Sequence, residues 1–149
     1  MSNTKETRIP IVLFVKSRQF YDGVDPDGME LTTEGWMIAT EKGLEISYFE
    51  TELTGMEGTT TTFQVEGDRV ILSRRGSTNS QMVFQEGVQH TTLYETPFGE
   101  LSMDIQTSSL KHNLTERGGV MEVRYSVAVE HALTGRNEFK IRVKPKMHE

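Results

Sequence analysis

Cysteine is absent from the 149 residues, which excludes disulfides, thiolate metal sites and a cysteine nucleophile. Long apolar runs are absent too. The longest, Ile11 to Val15, falls far short of the roughly 20 residues of a membrane-spanning helix. The polar start, Met1 to Arg8, leads into that run without a cleavage-site pattern, so no signal peptide is expected. No segment carries an i, i+3, i+4, i+7 apolar stripe long enough for a major helix. A Gly-x-Ser-x-Gly elbow, a phosphate-cradling glycine loop, a Gly-x-Gly-x-x-Gly fingerprint and a His-Glu-x-x-His pair are all missing. Positive charge is in short supply: 16 Lys and Arg against 22 Asp and Glu leave a formal charge of −6. That balance weighs against a non-specific nucleic-acid binder. With 35% hydrophobic and 26% charged residues, the chain is neither a disordered tail nor a membrane span.

What is present is alternation. Ile9, Ile11, Leu13 and Val15 recur at every second position, as do Leu101, Met103 and Ile105. Met121, Val123, Tyr125, Val127 and Val129 repeat the pattern, and Phe139, Ile141 and Val143 close it. Side chains of a strand point to opposite faces in turn, so each run has one buried and one wet face, the mark of antiparallel pairing. Turn dipeptides such as Lys42-Gly43, Gly67-Asp68, Glu86-Gly87, Gly118-Gly119 and Thr134-Gly135 punctuate the runs. Ten strands follow, near 9–20, 29–40, 44–53, 59–66, 69–75, 80–86, 88–96, 100–112, 120–132 and 137–144. Even spacing and short connections predict an all-β, up-and-down antiparallel barrel of eight to ten strands. Residues 1–149 read as a single domain with short polar tails at 1–7 and 145–149. The loop-like stretches are 22–28 and 76–81. Aspartates in the first resemble a calcium loop loosely, but the downstream glutamate spacing is wrong, so calcium is not expected.

The segment Tyr94-Glu95-Thr96-Pro97-Phe98-Gly99-Glu100-Leu101, with Thr107, Gly119 and the strand Met121 to Val127 that carries Tyr125, resembles a known family. Ile9 to Lys16, Thr33 to Trp36 and Phe139 to Val143 extend the likeness over nearly the whole chain. The family is a group of small bacterial proteins with a calycin-like β-barrel, catalogued as a domain of unknown function. The resemblance implies a closed, lipocalin-like barrel and a bacterial cytoplasmic setting. It carries no catalytic or binding residues with it.

Function then turns on which polar side chains face inward. Strand 69–75 offers Val70, Leu72 and Arg74 on one parity and Ile71, Ser73 and Arg75 on the other, so either face brings an arginine inside or to a mouth. A buried guanidinium must be paired, and its planar fork suits a carboxylate or phosphate, from a ligand or from Glu50 or Glu86. On strand 88–96, one parity holds His90, Thr92 and Tyr94. Arg74, His90, Tyr94, Tyr48 and Tyr125 are the candidate ligand-binding residues. Small inner candidates (Thr33, Gly35, Thr61, Thr107) leave space, whereas Trp36, Tyr48, Phe49, Phe63, Phe84 and Tyr125 can plug it. Met37, Met82, Met103 and Met121 suit an adaptable pocket or ordinary core. No catalytic residues, metal site or cofactor are expected, because the four histidines are scattered and no nucleophile–base pair can be named.

Charge is uneven along the chain. Residues 41–68 hold seven acids and one base, and residues 136–149 hold five bases and two acids. Lys140, Arg142 and Lys144 share one face of the last strand, with Arg124 on the strand before. Solvated faces explain this stripe better than RNA, for which stacking aromatics are lacking. The expected partners are a small-molecule ligand and a second copy of the chain, not nucleic acid or membrane. Three functions stay open, in this order: binding a small, partly apolar or anionic ligand inside the barrel; an interaction or oligomerisation module with a packed barrel; and an enzyme with a polar site at the barrel mouth.

Overall fold

The structure, a computed structural model, describes residues 7–20, 27–77 and 79–146, apart from the side chains of Asp27, Tyr94, Glu95 and Thr96. Every alternating run becomes a strand: β1 (Ile9–Phe20), β2 (Asp27–Ala39), β3 (Leu44–Phe49), β4 (Thr59–Glu66) and β5 (Arg69–Gly76) in the first half. β6 (Ser80–Gln85), β7 (Gln89–Thr96), β8 (Gly99–His112), β9 (Gly119–Val129) and β10 (Ala132–Pro145) make up the second. All pair antiparallel in one sheet of order β6-β5-β4-β3-β2-β1-β10-β9-β8-β7. The first and last strands are therefore neighbours at the middle of the sheet, in register from Ile11 opposite Pro145 to Phe20 opposite Arg136. The ends of the sheet are β6 and β7.

The sheet curls until those ends meet, giving a nearly closed barrel of ten strands. Its seam is held by single contacts instead of a ladder. The Gly87 amide donates to the Thr107 carbonyl at 3.0 Å, the Leu110 amide to Glu86 Oε1 at 3.2 Å, and His90 Nε2 lies 3.3 Å from Gln85 Oε1. Register shifts between Thr107 and Ser109 in β8, and between Leu133 and Gly135 in β10, add local twist where the sheet must bend. Gly35 serves the same curvature. A Cβ there would stand 2.2 Å from the Ser47 carbonyl oxygen and 2.9 Å from Leu13 Cδ1.

Inside, Ile11, Met37, Ile46, Val70, Phe84, Met121 and Ile141 are fully buried and fill one end of the barrel. Phe84, Phe139, Phe63 and Tyr125 form an aromatic chain above them, with ring centroids 4.7–6.1 Å apart. Met37 and Met121 are thus core residues, with Met103 packed against that core, and Met82 lines a cavity. Trp36 and Phe49 do not plug the barrel. Their positions alternate outward, where the rings pack 4.9 Å apart and the Arg8 guanidinium lies 5.0 Å from the indole.

Two connections differ from expectation. The β3 ladder stops at Phe49, because Thr51 caps a 3₁₀ turn (Glu52–Thr54) that Gly55 ends in the left-handed region. The last hairpin turns at Glu130 and His131, both at positive φ (51° and 68°), instead of at Thr134-Gly135. The side chains secure this unusual turn: Glu130 Oε1 accepts from the Ser102 amide, and His131 Nδ1 lies 3.2 Å from Asp104 Oδ2. Residues 22–26 of the calcium-like stretch lie outside the described residues. In the loop after β5, Asn79 ties both the amide and the carbonyl of Gly76.

The basic stripe lies on the outer wall, interleaved with acids. One row across β2, β1, β10 and β9 reads Glu30, Lys16, Lys140, Glu122, with ion pairs of 3.7 and 3.5 Å at its two sides. Arg124 pairs with Glu138 at 3.4 Å. Such exposed pairs contribute about 0–1 kcal/mol each and chiefly keep the wall wet.

The close approach at Gly35 sets a first expectation. Gly35→Ala should lower stability by about 1–3 kcal/mol in urea unfolding, since the backbone of β3 must retreat. An unchanged midpoint would show that the strands are not held so tightly there.

Candidate functional site

Alternation settles the parities that the sequence left open. Thr61 stands opposite both Tyr48 and Arg74, so Tyr48, Thr61 and Arg74 form one row across β3, β4 and β5. Tyr48 and Thr61 are buried, which turns this row, and Arg74 with it, into the barrel. Arg75 is on the exposed face. Glu50 sits one alternation beyond Tyr48, just past the end of the β3 ladder, and still points inward. Tyr125 joins from β9.

Tyr48, Glu50, Arg74 and Tyr125 line a cavity of about 120 Å³ at the end of the barrel that carries the 3₁₀ turn. Its apolar wall is Val15, Phe63, Leu72, Phe139 and three methionines, Met29, Met56 and Met82. Ser17, Arg18, Asn137 and Glu138 also line it. Met29 and Met56 escaped the sequence reading because neither lies on a clearly alternating run.

Glu50, one of the two internal partners the sequence offered for an inward arginine, is the one that meets it. Its side chain is 1% exposed, and both carboxylate oxygens are occupied. Thr61 Oγ1 donates to Oε2 at 2.5 Å, and Thr54 Oγ1 donates to Oε1 at 3.1 Å. The capped 3₁₀ turn brings Thr54 into place. Arg74 Nε stands 4.0 Å from Oε2, close enough for charge pairing and too far for a hydrogen bond. That Nε is buried and has no hydrogen-bond partner among the described residues.

The phenols respond to this setting. Burial raises the Tyr48 hydroxyl far above its usual 10.0, and the neighbouring Glu50 charge raises it further. Burial also raises Tyr125, with Arg74 pulling the other way. Both hydroxyls are therefore neutral hydrogen-bonding groups at ordinary pH.

Of the five sequence candidates, the structure brings Tyr48, Arg74 and Tyr125 together. His90 stands apart: its ring meets Gln85 across the seam, and it is not among the residues that line the cavity. The Tyr94 side chain lies outside the described residues. A second cluster joins Thr91, Asp104 and His131, but hydroxyl and imidazole both bind the carboxylate, at 2.6 and 3.2 Å. A serine-protease-like relay would need the imidazole between the other two. This cluster fastens the β9–β10 turn instead.

Residues 14–141 match the model of a family described as a domain of unknown function, DUF1934. The chain belongs to that family. Over 120 residues, covering 80% of this chain and 82% of the relative, it is 28% identical to the uncharacterized beta-barrel protein YwiB of Bacillus subtilis (strain 168). The crystal structure of the ywiB protein from Bacillus subtilis superposes with a TM-score of 0.80 at 24% identity, over 94% of each chain. Family and barrel agree with the resemblance drawn from the Thr96-Pro97-Phe98-Gly99 region. No helix among the described residues is long and apolar enough to cross a membrane.

The raised phenols make stability depend on alkali. In the unfolded chain a tyrosine loses its proton near pH 10.0, before the folded protein releases it. The contribution is thus complete below that pH and is lost as pH rises beyond it. Urea midpoints should fall from about pH 10 upward, and Tyr48→Phe should flatten the fall. An equal slope in the variant would place the responsible group elsewhere.

Proposed function

We propose that this protein binds a small molecule in the cavity at the open end of its barrel. The observation that carries this reading is the joint presence of a buried Arg74 Nε that has no hydrogen-bond acceptor and two neutral phenols beside an apolar floor. A buried donor without an acceptor costs about 1–3 kcal/mol, and a ligand oxygen placed there recovers it. The methionines Met29, Met56 and Met82 supply a wall that adapts to shape. Since a cavity of about 150 Å³ takes up benzene, 120 Å³ holds about five non-hydrogen atoms. Drug-sized ligands need about 300 Å³ or more, so the ligand is a small metabolite or the head of a larger one. The bacterial cytoplasmic setting implied by the resemblance belongs to the same proposal.

Native mass spectrometry of the freshly purified protein tests this reading, followed by thermal shift against small polar-headed compounds. A bound molecule, or a stabilising compound, should be present for the natural sequence and lost in Met82→Trp, which fills the cavity, and in Arg74→Met. No bound mass and no stabilising compound would leave the cavity without a role in binding. Binding that survives both substitutions would move the site elsewhere.

A further inference from the structure

Building on the proposed cavity, we infer that its polar end selects an uncharged, carbonyl-bearing head group over a carboxylate or phosphate, and that Glu50 enforces the choice. Arginine in a pocket ordinarily signals an anionic ligand. Here the counter-ion is already built in. Glu50 is held in place, because Thr61 donates to Oε2 at 2.5 Å, the Thr54 hydroxyl is shared between Oε1 at 3.1 Å and the Thr51 carbonyl at 3.0 Å, and the side chain is almost wholly enclosed. A second anion near Arg74 would also lie near this fixed carboxylate, so repulsion would offset much of the attraction. It would in addition give up its own hydration for a largely apolar chamber.

Donors remain unused. Arg74 Nε offers an N–H without a hydrogen-bond acceptor, and the Tyr125 hydroxyl lines the same chamber as a neutral group, while the Tyr48 hydroxyl is engaged with Glu50 and Thr61. A carbonyl oxygen of an amide accepts from such donors without bringing charge. Phe63, Leu72, Phe139 and Met82 provide for the attached carbon skeleton.

Matched probes separate charge from shape: benzamide against benzoate, and hexanamide against hexanoate, titrated by calorimetry or ligand-observed NMR. In the natural sequence each amide should bind at least about tenfold tighter than its acid. Glu50→Gln, which keeps the shape and removes the charge, should reverse the order. If that variant does not fold, the amide-to-acid ratio of the natural sequence decides. Equal or tighter binding of the acids would overturn the inference while leaving the binding function intact. Binding of none of the four would overturn both.

Discussion

The pairing of β1 with β10 is the constraint on which the barrel depends. It joins residues at opposite ends of the described chain, Ile11 with Pro145 and Phe20 with Arg136, in an unbroken register. All the other ladders are hairpin pairs of neighbouring strands, which close small loops and form early and cheaply. They would give two separate meanders, β1 to β6 and β7 to β10. Only β1·β10 merges these into one sheet, and its inner residues Leu13, Val15, Phe139 and Ile141 then share one core. The discontinuity falls between β6 and β7, where a few contacts do the work of a ladder. The barrel is thus continuous where its chain ends meet and weakest at mid-chain.

That arrangement governs the two ends of the interior differently. At the filled end, inward positions carry Ile46, Val65, Val70 and Met121, and Leu114 packs under the connection from β8 to β9. His112 helps to close it by hydrogen bonding to the Gly67 carbonyl at 2.8 Å. At the other end the same alternation delivers Tyr48, Thr61, Arg74 and Glu50. One periodic rule thus produces both a core and a site, and only the residue type changes along the strand.

Alternation was legible in the sequence, and so were ten strands, one sheet and the barrel. Position within an alternating run also made Tyr125 and Phe139 inner residues with little ambiguity. Strand β5 was harder, because Ile71 and Leu72 are equally apolar neighbours; the burial of Thr61, opposite Arg74, decides between them only once the pairing is known. Trp36 and Phe49 misled because large aromatics suggest burial, whereas an outward pair can cover itself and stack with Arg8. The Glu130-His131 turn was invisible since it places two successive non-glycine residues at positive φ, where the Thr134-Gly135 pair nearby offers a glycine. It relies on Asp104 and Ser102, which are distant in sequence.

Glu50 shows why the site was only partly legible: the sequence offered it, beside Glu86, as an internal partner for an arginine, without deciding between them. It stands in the most acidic stretch of the chain, where carboxylates signal a wet surface, yet it is the one that alternation carries inward past the end of β3. Burying a carboxylate and a guanidinium costs several kcal/mol per ion before their attraction and hydrogen bonds are counted, and hydrophobic replacements often make a protein more stable. Here the pair is also imperfect, since 4.0 Å separates Nε from Oε2 and Nε gains no hydrogen bond. A purely structural pair would gain stability by closing that gap to a direct hydrogen bond. The two threonines hold Glu50 where it is instead, so the arrangement keeps a donor open at the cost of stability. That cost is concentrated around one cavity, while the opposite end of the barrel is filled with aliphatic side chains, and this contrast supports the proposed binding of a small molecule there.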